Sequence, residues 1–465
     1  MSRESDVLAS LRPLLGSDRL CSCGRRHVVG TREVLVEPGA IGHLPDLAGR
    51  LGLVGPCLVV TDANTRRAAG GQVLDVAASA GLGPTELIVQ PQDPNQPLEA
   101  TEQATCEVEE ALRHGPRFAI AVGAGTINDL VKLACARRGL PYLAVPTAPS
   151  MNGYPSAIAA ISVEGLKRTL PAEPPVGIIC DVDVLCAAPP EMIAAGYGDL
   201  LSKACSSADW KMAHLVRGEY FCQEPVAVVE AAEEQCRASA AAIRAREPQG
   251  VALLTAALIQ SGISMAMAGS SAPASGGEHL ISHYWDMTAP ARGRRHDLHG
   301  RQVAVGTLVC AALYEKLPER LPHVDLDQAL TQRPGFDAVA QASLDHFAPL
   351  VGQPTAGLIV EELRGKYESP ERLREHLSPL LATPEAFWRE LGPILRPVGE
   401  LRSALIAGGA PTTIADLGIS EDELRAAFLH ARDIRSRYTV LDLASDLGLL
   451  AELCDEVLAA SGTLG

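Results

Sequence analysis

FAIAVGAGTINDLVKLACARRGLPYLAVPTAPSMNGYPS, residues 118–156, decides the fold. A short apolar run, 118–122, leads into Gly123-Ala124-Gly125. Thr126 stands where a helix N-cap belongs, and Ile127, Leu130, Val131 and Leu133 follow with helical spacing. Gly139-Leu140-Pro141 stops that helix, and a second apolar run, 142–145, ends in Pro146-Thr147. Strand, glycine turn, helix, strand is one βαβ unit. The turn lets backbone N–H groups approach a phosphate, and the helix N-terminus behind it favours negative charge. Tight packing alone would also explain the two glycines. The run is not the G-x-G-x-x-G dinucleotide fingerprint, because Asn128 occupies the last glycine position.

GAGTINDLVK (123–132) followed by PTAPSMNGYPS (146–156) resembles the dehydroquinate synthase-like superfamily, which includes the iron-containing alcohol dehydrogenases. Within it the pattern is similar to the bacterial sn-glycerol-1-phosphate dehydrogenases. The resemblance implies that Gly123, Gly125, Thr126, Asp129 and Lys132 form the turn that holds the pyrophosphate of NAD or NADP. Ala124 and Ile127 belong to the same turn, along which the nicotinamide would lie. Thr147, Ser150 and Ser156 come from the second loop, which lies between cofactor and substrate in that family. Asn152 replaces the family's Asp in it. The change keeps size, removes a charge and adds an NH₂ donor. It marks either a different substrate within the same chemistry or only the loop's shape, since Asn-Gly is a strong turn dipeptide.

The 465 residues suffice for two domains, and 47% hydrophobic content supplies a sizeable core. Aromatics are only 4%, so the core must be aliphatic and alanine-rich. A formal charge of −16 argues against nucleic acid and anionic membranes as partners. Twelve cysteines, mostly single and in apolar contexts, read as buried thiols. The first twenty residues show no apolar core of signal-peptide length, which gives a cytoplasmic reading. The uncharged stretch 248–277 approaches the length of a membrane span. Its Thr255, Gln260, Ser261, Gly262 and Ser264 favour a core helix instead.

Working outward, residues 1–20 read as a leading helix. CSCGRRH then brings Cys21, Cys23 and His27 within seven residues, which invites a zinc reading. C-x-C lacks the usual C-x-x-C spacing, and the alternative is a turn into a strand over 27–36. Helices are expected over 40–51, 65–80 and 97–114, and strands over 57–61, 86–90 and 177–180. Asp62, closing VVTDANT, is either a ribose-binding carboxylate or a turn residue, and the resemblance favours the cofactor role. From Glu191 onward only helical patterns remain. The expected organisation is an α/β dinucleotide-binding domain, 1–188, and an all-α metal- and substrate-binding domain, 189–465. The superfamily implies this architecture, with its active site between the two. ARDIRSRYTVLDLASDLGLL, 431–450, extends the resemblance almost to the C-terminus.

Three stretches of the helical half carry chemistry. In AAGYGDLLSKACSSADW, Asp199 is read at a helix start with Lys203 one turn on. In GGEHLISHYWD, His279 and His283 fall at i and i+4, on one helix face. RRHDLHGRQVAVGTL adds His296 and His299. A carboxylate with clustered imidazoles suits a catalytic divalent ion that keeps a position open, although satisfied or surface histidines remain the alternative. The resemblance implies that Asp199, His279 and His299 hold zinc, nickel or iron. It makes Asp199, His283 and Asn152 the catalytic set, with His283 against the substrate, and gives His296 no role. Lys167, Arg168 and Lys203 are candidates for a substrate phosphate, or plain surface cations.

The reaction so implied is reduction of dihydroxyacetone phosphate by NADH or NADPH. Alternatives are a polyol or alcohol dehydrogenase with another small substrate, and a dehydroquinate synthase-like cyclase, which would show no net cofactor turnover. A non-catalytic homologue would have no reason to keep the ligand set. The alanine-rich uncharged segment and the resemblance together suggest a homodimer or larger homo-oligomer.

Overall fold

The computed structural model describes residues 6–93, 96–163 and 166–465. It divides into two compact units: Met1–Leu200 with Glu224–Ser271, and Leu201–Gln223 with Ala272–Gly465.

The first unit is built on six parallel strands. In chain order they are β3 (Glu33–Glu37), β4 (Cys57–Thr61), β5 (Pro84–Ile88), β6 (Phe118–Gly123), β7 (Tyr142–Pro146) and β10 (Gly177–Asp181). They lie side by side as β3-β10-β7-β6-β4-β5. Strands β4, β6, β7 and β10 are buried along their whole length, which explains their continuous apolar runs. From β4 the chain moves outward to β5, then returns to β6 and continues the other way. The order therefore reverses between β4 and β6, and ligands of open α/β sheets bind at the carboxyl ends of strands beside such a reversal.

Several expectations change in detail. Among the described residues the leading helix covers Asp6–Leu11, and β1 (Asp18–Leu20) follows it; residues 1–5 of the expected helix lie outside the described residues. The strand expected over 27–36 is two. β2 (Arg26–Val28) pairs antiparallel with β1, whereas β3 joins the main sheet. Gly30 lies between them, where a Cβ would stand 2.7 Å from the Pro174 ring. An antiparallel hairpin, β8 (Ile158–Val163) and β9 (Leu166–Pro171), was not anticipated. The helix after β6 runs Gly125–Arg138 with Ala124 at its N-cap, so Thr126 lies inside the first turn rather than at the cap.

Pro248–Ala268 is the one helix among the described residues long and apolar enough to cross a membrane, and 89% of its apolar window is buried. It is a core helix of the first unit. It cannot supply the self-association surface expected of it, because that surface is already covered. Among the described residues no strand follows Asp181, and the second unit is helical throughout.

Candidate active site

The carboxyl ends of β4 and β6 are adjacent, with Val60 opposite Ala121. The chain leaves β4 through Asp62 and β6 through Gly123-Ala124-Gly125, so both candidate cofactor elements flank the reversal. Gly123 is needed for the turn itself: a Cβ would lie 2.6 Å from Ile127 Cβ. The N-cap of helix Gly125–Arg138 makes no side-chain hydrogen bond, and residues 124–126 are half-buried rather than closed off. That leaves first-turn N–H groups able to take a phosphate. Ile127 is buried behind the turn, in the core. Asp62 caps its own helical turn, accepting from the backbone N–H of Asn64 at 2.7 Å and Thr65 at 2.8 Å through Oδ1. A ribose hydroxyl would have to use the other oxygen.

Lys132 is entirely buried. Its Nζ donates to Gly153 O at 2.6 Å, Ile158 O at 2.9 Å and Ser156 Oγ at 3.1 Å, with Asp129 at 3.4 Å. Asp129 in turn accepts from the Ala160 N–H at 3.0 Å. These two family positions therefore fasten the second loop to the first helix instead of reaching for a pyrophosphate. Ser156 is buried in the same knot, and Thr147 and Ser150 are buried nearby in sequence.

The loop itself is pinned between two helical glycines. A Cβ on Gly196, in helix Pro190–Leu201, would stand 1.8 Å from Pro149 O. One on Gly262, in helix Pro248–Ala268, would stand 2.4 Å from Asn152 O. Glycine weakens a helix interior by about 1 kcal/mol. Here it lets backbone approach backbone. Asp199 is three residues beyond Gly196, so it shares that face. Asn152 donates its backbone N–H and its Nδ2–H to the two Asp199 oxygens, each at 3.1 Å. Asp199 sits near the end of its helix, not at a start, and Lys203 opens the next helix, Lys203–Arg217. Lys203 is not a surface cation but is buried, donating to Ser202 Oγ and Ala274 O. Arg168 is half-buried on β9, and the Lys167 side chain lies outside the described residues.

In the second unit, helix Gly277–Thr288 carries His279 and His283, and His299 opens helix His299–Arg320. The three rings converge, with centroids 5.0 Å (His279–His299), 5.3 Å (His283–His299) and 6.3 Å (His279–His283) apart. His279 Nδ1 faces Glu278 Oε1 at 2.8 Å, and His299 Nδ1 faces Ser282 Oγ at 3.1 Å. Ser282 donates onward to Gln302 Oε1 at 2.8 Å. Partners on Nδ1 leave Nε2 as the ligating atom, which is how metal-binding histidines are oriented. Asp286 offers a carboxylate oxygen within 4.8 Å of ligand atoms of His283 and His299. The donor set fits a divalent ion of borderline softness. His296 is exposed in the preceding loop.

Asp209 anchors this helix. Its Oδ2 accepts from the Gly277 N–H at 2.7 Å, while Oδ1 takes the Val440 N–H at 2.9 Å and the Tyr314 hydroxyl at 2.5 Å. Burial, with the Glu278 charge beside it, pushes the Asp209 carboxyl up to about 7. The C-terminal stretch 431–450 thus has a mechanical part: Val440 and the histidine helix share one carboxylate. Asp442 and Asp446 nearby bind Lys366, Arg432, Arg217 and Arg333 in a buried network. Asp209, Ser282 and Asp286 escaped the sequence reading. Only Asp286 left a signal, at i+7 from His279 on the same face.

A parallel sheet with an uncapped helix at its strand reversal, a helical half and a histidine cluster define a nucleotide-linked metal dehydrogenase class. Residues 35–189 match the iron-containing alcohol dehydrogenase family. The chain is 36% identical over 296 residues to the glycerol-1-phosphate dehydrogenase [NAD(P)+] of Halalkalibacterium halodurans, covering 63% of this chain and 74% of that protein. It is 27% identical to the Bacillus licheniformis protein of the same name, over 97% of both chains. A probable glycerol dehydrogenase from Sinorhizobium meliloti shares the fold, with a TM-score of 0.60 over 93% of this chain and 98% of that one, at 17% identity. The chain belongs to the iron-containing alcohol dehydrogenase family, whose members use NAD(P) and a divalent metal. It is an NAD(P)-dependent oxidoreductase of that family, and the relatives it is similar to in sequence are glycerol-1-phosphate dehydrogenases.

Proposed function

We propose that the protein reduces dihydroxyacetone phosphate to sn-glycerol 1-phosphate with NADH or NADPH. The observation that carries this is the converging histidine set with Nδ1 of His279 and His299 already engaged. Similarity to the glycerol-1-phosphate dehydrogenases supplies the substrate. Asp199, His279 and His299 would hold a divalent ion, which supplies Lewis acidity toward a carbonyl while the nicotinamide supplies hydride. Glu278 and Ser282 fix the imidazole tautomers. Asn152 orients Asp199. His283 is the residue assigned to return a proton to the substrate oxygen. The N–H groups of 124–126 and Thr126 hold the pyrophosphate, and Asp62 the ribose. By resemblance the assembly is a homo-oligomer in the cytoplasm.

The test is oxidation of NADH and NADPH by dihydroxyacetone phosphate with zinc, nickel or iron present. No turnover with any pair of cofactor and metal refutes the reading. A second reading, a polyol or alcohol dehydrogenase with another substrate, is favoured by Asn152, and turnover of an uncharged polyol in preference to the phosphate would establish it.

A further inference from the structure

We infer that Cys21, Cys23 and His27 form a structural zinc site. Cys21 and Cys23 lie in the turn joining β1 to β2, where the Cys21 N–H donates to Arg25 O at 2.9 Å and the Gly24 N–H to Cys21 O at 3.0 Å, and His27 is on β2. Gly24 takes a φ of +83°, which closes the turn tightly. The Cys23 N–H points at Cys21 Sγ, 3.4 Å away, an arrangement that stabilises a thiolate. One ligand atom from each of the three residues lies within 4.8 Å of the others.

Two distances carry the inference. Cys23 Sγ and His27 Nε2 are 3.6 Å apart. Tetrahedral zinc, with Zn–S of about 2.3 Å and Zn–N of about 2.05 Å, requires S···N of about 3.6 Å. His27 is fully buried, and its Nδ1 lies against Met267 O at 2.5 Å. A carbonyl can only accept, so Nδ1 carries the proton and Nε2 presents its lone pair to Cys23. Thiolates with an imidazole select zinc over magnesium or calcium. A fourth donor arrives along the chain: Glu224 Oε1 is 3.3 Å from Cys21 Sγ, and Cys222 is two residues before it. Binding releases the thiol protons to solvent and leaves the zinc oxidation state unchanged. The ion would tie the β1–β2 ribbon to the end of core helix Pro248–Ala268 through His27. The site does not depend on the dehydrogenase reading, since none of the ligands proposed there contains sulfur.

The experiment is X-ray absorption on the full-length protein loaded with zinc, together with cobalt(II) titration. Sulfur scatterers at about 2.3 Å, and a thiolate-to-cobalt charge-transfer band, are expected. Cys21→Ser with Cys23→Ser should abolish the band, while His279→Ala should keep it. Nitrogen and oxygen scatterers alone, or no charge-transfer band in the wild type, overturns the proposal and leaves an S–H···N hydrogen bond in its place. The wild-type measurements decide the matter even if the double variant fails to fold.

Discussion

Asn152→Asp tests the pairing of the 146–156 loop with helix Pro190–Leu201. Asn152 donates to Asp199 twice at 3.1 Å, and the two residues are only 8% and 1% exposed. The substitution removes one hydrogen bond to a charged group, worth about 1.5–3 kcal/mol. It also sets a second carboxylate against the first. At that distance of 3.1 Å, with an effective dielectric constant of about 20, the repulsion is about 5 kcal/mol. Protonation of the new carboxyl offers an escape. Holding a proton at pH 7 on a group of ordinary pKa about 3.9 costs about 4 kcal/mol, and the neutral acid can donate to Asp199 again. The smaller route sets the penalty. We expect the variant to lose about 4 kcal/mol in chelator at pH 7 and to regain about 2.7 kcal/mol of that at pH 5, since each pH unit is worth about 1.36 kcal/mol. Asn152→Ala, which loses the donor without adding charge, should lose about 1.5–3 kcal/mol at both pH values. Divalent metal should stabilise the Asn152→Asp protein more than the wild type. The assay is urea unfolding with and without metal, read as differences from wild type. Equal stability of Asn152→Asp and wild type in chelator at pH 7 would show that residue 152 does not face Asp199 in solution.

Gly196→Ala should displace the loop at Pro149, because the new Cβ has no room against that carbonyl; hydrogen exchange at 149–156 should rise several-fold. Lys132→Met strips Gly153 O, Ser156 Oγ and Ile158 O of their shared donor and leaves Asp129 without its buried cation, so a loss of about 3–5 kcal/mol is expected by urea unfolding. His346 is pushed down to about 4, chiefly by burial and then by the His430 charge, and its Nε2 lies 2.9 Å from the Tyr284 hydroxyl. The unfolded chain therefore binds the extra proton first, and stability should fall as pH drops from about 6.5 toward 4. His346→Gln should flatten that slope, and an unchanged slope would locate the acid sensitivity elsewhere.

The four inner strands of the sheet were legible because burial on both faces writes continuous apolar runs, and β4 was located to the residue. β8 and β9 were not: β8 alternates buried Ala159 and Ile161 with half-buried Ile158, Ala160 and Ser162, and those neighbours are too apolar to write the alternation into the sequence. The histidine spacing gave the ring cluster, since i and i+4 share a helical face whatever the tertiary context. Asp209 had no such signature. Its partners are Gly277, Tyr314 and Val440, and a contact over 231 residues leaves no local pattern. Lys132 was visible as a motif residue, but its task was misread, because nothing in a lysine's neighbours along the chain says that its ammonium is enclosed. Asp199 was misplaced for a related reason: Gly-Tyr-Gly before it suggested a helix beginning, whereas the glycine at 196 is a point of backbone contact inside a helix.

That contact bears on how the protein could be redesigned. With Pro149 O seated on Gly196 and Asn152 O on Gly262, the loop has no slack in length or height. Insertions, deletions or bulkier residues at either glycine would unseat two helices at once. The side chain at 152, by contrast, can change while its Cα stays where it is. A library meant to alter substrate range should vary 152 alone and leave 149–151 and 153–155 untouched.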